Sequence, residues 1–169
     1  MPASPILDFY RGTGTDHAGR TLVDILGFDH EALEFHHDYI QWLFPLPEPS
    51  GALRTAPLLG AVDIAAFASD PILRDELRRS LDLMLDFYGL IRVEGAAVRM
   101  APHFGQRVPV WLTPMSHNYL RLTRILRSCT LLGLGPEARA LLDALEQIAI
   151  AAEGIIPERS LAFWRGAVG

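Results

Sequence analysis

Apolar residues recur three and four positions apart through most of this chain, and only one short stretch alternates. The pattern therefore predicts a mainly α-helical protein with one short β-hairpin. The clearest helix starts at Asp70-Pro71, a capping carboxylate followed by a proline suited to a first turn. Its Leu73, Leu77, Leu81, Met84 and Tyr88 form an apolar stripe, Arg74, Asp75, Arg78, Arg79, Asp82 and Asp86 fall largely away from it as solvated surface, and Gly89 ends it. Upstream, Asp63 is placed to cap a short helix through Ser69, and Thr21 a shorter one that Gly27 stops. Asp29 caps a helix predicted to run unbroken to Phe44, where Pro45 halts it. Downstream, one helix spans Ser116 to Leu132, another runs from Glu137 to about Glu153, and Ser160 to Trp164 forms a last turn. Residues Ile91 to Met100 alternate around a small-residue turn, the signature of a hairpin that must lean on helices. The first twenty residues, the stretch from Pro45 to Pro57 and the segment from Pro102 to Thr113 read as loops, the first tied down by Phe9 and Tyr10. The total is about six helices and one hairpin in a single domain.

Composition narrows the possibilities. The chain has 169 residues, enough for one domain with a sizeable core, and half of them are hydrophobic. A net charge of −5 argues against a nucleic-acid partner, which needs a basic face. All 15 basic residues are arginine. Cys129 stands alone in an apolar helical run, so it forms no disulfide within the chain and reads as a buried, inert thiol. No stretch has the roughly 18 uninterrupted apolar residues of a membrane span. Met1 to Asp8 lacks the basic and apolar regions of a signal peptide, so a soluble, intracellular and cytoplasmic protein is expected. Gly12 and Gly14 hint at a phosphate-cradling loop, but no strand leads in and no Gly-Lys-Ser/Thr follows.

Two segments are dense in chemistry. Leu33 to Pro45 packs two histidines, two carboxylates, a glutamine and four aromatics into what should be barely three helical turns, and buried polar groups of that kind need partners. Glu34 and His37 have the Glu-x-x-His spacing of di-iron bundles, but the required second pair is missing. Ligand types for a single metal exist in His37, Glu34 or Asp38 with His117. General acid–base chemistry could draw on the same side chains. No nucleophile or oxyanion site accompanies them, so no catalytic residue, metal ligand or cofactor is assigned. The second segment, Ser116 to Arg127, carries Arg121, Arg124 and Arg127 at steps of three, a basic ridge that reads as salt-bridged surface or as an anion fork.

The residues resemble a known family. Leu33-Glu34 and the run His37-Asp38-Tyr39-Ile40-Gln41-Trp42-Leu43-Phe44-Pro45 look like the N-terminal region of opioid growth factor receptor proteins. The likeness continues through Phe9-Tyr10-x-Gly12, Asp16-x-x-Gly19-Arg20-Thr21, Pro57-Leu58-Leu59, Asp86-Phe87-Tyr88-Gly89-Leu90 and His117-Asn118-Tyr119-Leu120-Arg121 with Thr123-Arg124-Ile125-Leu126. It covers nearly the whole chain, so residues 1–169 are expected to form a receptor-like core domain without the long repeats or basic tail of the animal members. Those members are described as receptors for an opioid pentapeptide, associated with the nucleus and acting on cell growth, and the resemblance carries no contact residues with it. It implies a receptor-like protein for an unknown small molecule or peptide. The expected pocket brings Glu34, His37, Asp38 and Gln41 together with His117, Asn118, Arg121 and Arg124, its carboxylates suited to a free amine and Tyr39 and Trp42 to an aromatic side chain. A hydrolase-like or metal-assisted enzyme, or a purely protein-interacting domain, are the alternatives.

Overall fold

Capping chemistry and punctuation by glycine and proline set most element boundaries in the computed structural model, which describes residues 4–94 and 97–169. Among these residues lie α1 (Pro5–Tyr10), α2 (Leu22–Leu26), α3 (His30–Phe35), α4 (Ile40–Leu43), α5 (Ala61–Ser69), α6 (Pro71–Tyr88), α7 (Phe104–Trp111), α8 (Asn118–Leu131), α9 (Gly135–Ala151) and α10 (Glu158–Val168), with strands β1 (Leu90–Val93) and β2 (Ala97–Met100). The fold is thus mainly α with one antiparallel hairpin, as the pattern predicts. Gly95 and Ala96, which fall in the expected small-residue turn, lie outside the described residues. The chain divides into two compact units, residues 1–80 and 81–169, with the division falling inside α6.

In the first unit the N-terminal stretch is not a loop. Ser4 caps α1 by accepting the Leu7 amide, and Pro5 fills its first turn. That places Phe9 on Trp42, ring centroids 5.4 Å apart, and Tyr10 edge-on to Phe67 at 5.1 Å. The Tyr10 hydroxyl donates to the Leu43 carbonyl, and the Ser4 hydroxyl to Asp63. Thr21 and Asp24 form a reciprocal cap on α2, and Asp29 caps α3 through the Ala32 amide at 2.8 Å. Asp63 sits one turn inside α5 instead of capping it, and its carboxylate accepts the Gly60 amide at 2.8 Å. The Gly12–Gly14 turn is spent on the chain itself, as the rejection of a phosphate loop requires: the Thr13 and Gly14 amides both donate to the Asp8 carbonyl. Arg74 is not merely solvated, because its guanidinium donates to the last carbonyls of α5, at Phe67 and Ala68.

In the second unit the α6 residues Leu81, Met84, Leu85 and Tyr88 are buried, as the stripe requires. The segment 102–113 contains a helix, α7, despite Pro109 inside it. Long-range bonds hold it: the Trp111 indole donates to the Tyr88 carbonyl at 3.0 Å and the Arg107 guanidinium to the Phe87 carbonyl at 2.7 Å. α8 packs against α9 and α10, where the Trp164 indole donates to the Tyr119 carbonyl at 3.1 Å. Cys129 is sealed in this core; burial, and then the Glu137 charge, push its thiol far above the ordinary range.

Gly89 has φ +77°, and a β-carbon there would lie 2.7 Å from the Phe104 Cα. Gly12 has φ +75° with open space around it. Gly89→Ala should therefore cost about 3 kcal/mol, combining left-handed strain with overpacking, whereas Gly12→Ala should cost only about 1 kcal/mol. Urea denaturation of the two variants beside the wild type measures both; equal losses would contradict the packing argument.

Candidate functional site

The Asp29–Phe44 segment is two short helices, not one. α3 ends at Phe35, and His36 follows in extended backbone at φ −82°, ψ 137°. The break is satisfied locally, since the Tyr39 hydroxyl donates to the α3 carbonyl of Leu33 at 2.7 Å. Glu34 and His37 therefore do not share a helix face, and the Glu-x-x-His premise for metal or acid–base chemistry fails. His and Asp form helix poorly, and a polar network engages Asp38 outside helical register.

That network starts from the turn at Asp16. One oxygen of its buried carboxylate accepts the Ala18 and Arg20 amides, each at 2.9 Å, while Gly19 supplies the positive φ the turn requires. The other oxygen takes the Arg20 Nε at 2.7 Å, and the same guanidinium donates to Asp38 at 3.0 Å. His17 Nε2 lies 3.1 Å from the second Asp38 oxygen, and the Trp42 indole N–H points at His17 Nδ1, also at 3.1 Å. An indole only donates, so Nδ1 must be the acceptor and Nε2 must carry the proton toward Asp38. Burial opposes ionisation of Asp38, but the Arg20 guanidinium and His17 outweigh it and hold its carboxyl below the usual range. Burial likewise works against the Arg20 charge, and Asp16 and Asp38 overcome it, raising its pKa.

The sequence-derived site residues separate by role. Asp38 is engaged by Arg20 and His17, and the rings of Tyr39 and Trp42 are core rather than ligand-facing. His37 is exposed and Glu34 half-buried. Gln41 is only 3% exposed; its amide N–H donates to the His37 carbonyl at 3.3 Å, and its Oε1 has no hydrogen-bond partner among the described residues. In the second unit His117 is exposed, Asn118 is buried, and Arg124 is half-buried. Arg121 is 5% exposed, so it belongs to the interior and not to a surface ridge; its guanidinium lies 3.5 Å from the Asn118 Oδ1, which also faces the Tyr88 hydroxyl at 3.4 Å.

A groove of about 760 Å³ in the second unit went unread in the sequence. Its walls are Asp82, Leu85 and Asp86 of α6, all of β1, Glu94, and Ala101 to His103. Arg92 forks onto Asp82 at 2.6 and 2.8 Å, and that hydrogen bond raises its pKa against the effect of burial. His103 Nε2 stands 2.9 Å from the Asp86 carbonyl and 3.3 Å from its carboxylate. Three carboxylates thus face one guanidinium and one imidazole. The alternation at Ile91 to Met100 placed the hairpin, but nothing in it pointed to the α6 wall 10 residues earlier.

Residues 13–159 match the family described as "Opioid growth factor receptor (OGFr) conserved region". The chain belongs to this family. It is 44% identical to the mouse opioid growth factor receptor over 109 residues, which is 63% of this chain and 17% of the relative. The human receptor gives 41% over 109 residues, 63% and 16% of the two chains. Opioid growth factor receptor-like protein 1 of Xenopus tropicalis gives 39% over 106 residues, 62% and 20%. The matched part is therefore a fifth or less of those relatives' own length. No solved structure matches. Among the described residues, no helix is long and apolar enough to cross a membrane.

Two consequences are measurable. Because the folded Asp38 pKa lies below its unfolded value near 4, its contribution is present above about pH 4 and is lost as pH falls through the folded value. The stability gap between wild type and Asp38→Asn, under about 1 kcal/mol for this partly exposed group, should close on acidification from pH 6 to pH 2. Arg20→Ala should cost roughly 3 kcal/mol at neutral pH, since it strips the buried Asp16 of its counter-charge. Thermal melts across pH check both; a gap for Asp38→Asn that widens in acid would refute the assignment.

Proposed function

We propose that this chain is a receptor-like binding module whose ligand is a peptide or small molecule bearing a cationic amine. The observation that carries this reading is the groove in the second unit, where Asp82, Asp86 and Glu94 outnumber Arg92 over a floor of Leu85, Leu90 and Ala101. Glu94 is exposed and has no ion pair among the described residues, so it is placed to meet a cation at the rim. The relatives' name, opioid growth factor receptor, supports a binding role over a catalytic one.

The eight positions proposed from sequence divide within this reading. Asp38, Asn118 and Arg121 act as supports. Glu34, His37 and Gln41 in the first unit, and His117 and Arg124 in the second, are not among the residues that line the groove, and the reading does not rest on them.

Calorimetric titration with a capped tetrapeptide amide containing two lysines, and with its fully Nε-acetylated counterpart, tests the proposal. Wild type should bind the charged peptide and ignore the neutral one, and Asp86→Asn with Glu94→Gln should weaken binding at least tenfold at low salt. Equal binding of both peptides, or no effect of the double variant, overturns it.

A further inference from the structure

Trp42 differs from the other two tryptophans in the acceptor its indole N–H is given. The Trp111 and Trp164 indoles donate to backbone carbonyls, of Tyr88 and Tyr119, which serve only as acceptors. Trp42 donates instead to Nδ1 of His17, at 3.1 Å. Imidazole is the side chain whose ordinary titration falls between about pH 5 and about pH 8. The acceptor of this one buried indole is therefore a group that a proton can remove.

Geometry decides what that proton does. Nε2 of His17 already carries the hydrogen donated to Asp38, so the ring's one open lone pair is on Nδ1, where the Trp42 N–H engages it. A proton taken up from water adds at Nδ1, and the imidazolium then sets an N–H against the indole N–H. Two donors face each other, and one of the ring's two hydrogen bonds must break. The bond to Asp38 gains from the new charge, because a charge-assisted hydrogen bond is roughly twice as strong as a neutral one. Asp38 is there to receive it: burial opposes its ionisation, but Arg20 and His17 prevail and hold its carboxyl below the usual range. The bond to Trp42 is the one that gives. Among the described residues Asp38 is the charged group paired with His17; Arg20, which opposes a further positive charge nearby, is spent on Asp16 and Asp38. From α4 the neutral Trp42 ring faces the imidazole, stacked with centroids 6.4 Å apart. The His17 side chain is 26% exposed, so water reaches it, whereas Trp42 is only 6% exposed. We propose that His17 is a proton-operated latch on Trp42: neutral, it ties the indole of α4 to the turn at Asp16, and protonated, it releases the indole while staying on Asp38. Trp42 packs on Phe9 of α1, with ring centroids 5.4 Å apart, so release loosens α4 against α1. The Asp16–Arg20–Asp38 bonds do not involve the imidazole and keep the turn in place. The latch lies within the first unit and does not depend on the groove.

The test is an NMR titration of the isotope-labelled full chain from about pH 8 to about pH 5, the range in which imidazole titrates. The indole N–H signals of Trp42, Trp111 and Trp164 are the readout. The latch predicts that His17 carries its hydrogen on Nε2 at the alkaline end. On acidification the hydrogen-exchange protection of the Trp42 indole should fall at least tenfold, with the same midpoint as the His17 ring, while Trp111 and Trp164 keep theirs. A Trp42 indole that stays protected while His17 titrates overturns the proposal. Loss of protection at a midpoint other than that of His17, or by all three indoles together, refutes it too, as does an imidazole that takes up no proton across the range. In His17→Gln a side-chain oxygen can still accept from the indole and an amide can still donate to Asp38, with no proton to gain. Trp42 should then stay protected throughout, and a pH response like that of the wild type would sink the assignment. Should that variant fold poorly, the wild-type titration decides by itself.

Discussion

Arg20 holds the first unit to its shape. Its planar, forked guanidinium reaches the Asp16 carboxylate with one nitrogen and Asp38 with another, joining a turn early in the chain to the break between α3 and α4. A lysine gathers its three donors on one freely rotating nitrogen and lacks the rigid planar fork that fixes the two carboxylates in this geometry. From Asp38 the constraint passes through His17 to the Trp42 indole, and Trp42 packs on Phe9 of α1. Each of these groups is oriented by the next, so the polar chain fixes where an aromatic core residue lies. Burying Asp16 is tolerable only because two backbone amides and a guanidinium meet it, and its removal from water strengthens those same bonds.

This network explains what could be read along the chain and what could not. The α6 stripe, the caps at Thr21, Asp29 and Asp70, the hairpin and the burial of Cys129 are local signals, set by residues within a few positions of one another. The break after Phe35 is not local. The apolar spacing through Phe44 is compatible with one helix, and Arg20 and His17, about 20 residues earlier, hold Asp38 outside it. α7 was hidden for a related reason: Pro109 argues against a helix, and bonds from Trp111 and Arg107 to carbonyls at the end of α6 override it. α1 is short enough that its single clear signal, Ser4 before Pro5, is weak without the aromatic packing that follows.

The candidate site shows the same division. A carboxylate, an imidazole and an indole in one motif suggest chemistry when read by type alone. In the structure Asp38, Tyr39 and Trp42 are joined to other motif residues, Asp16, Gly19 and Arg20 among them, and together they make architecture. In the second unit Tyr88, Gly89 and Asn118 do likewise, through a bond to Trp111, a close approach to Phe104 and a contact with Arg121. A motif built largely of fold-determining residues identifies a family well and a ligand poorly.

It follows that binding specificity in this chain should be sought away from the motif's buried members, among groups the fold leaves facing solvent. The groove beside β1 satisfies that condition unevenly. Leu85, Leu90 and Ala101 are floor and serve packing; Asp82 is paired with Arg92; Glu94 stands exposed at the rim, with no ion pair among the described residues. Charges at a rim steer and select partners more than they add affinity. On the proposed reading, selection among ligands would therefore rest on rim groups such as Glu94, and the buried motif residues would act only by holding the frame that presents them.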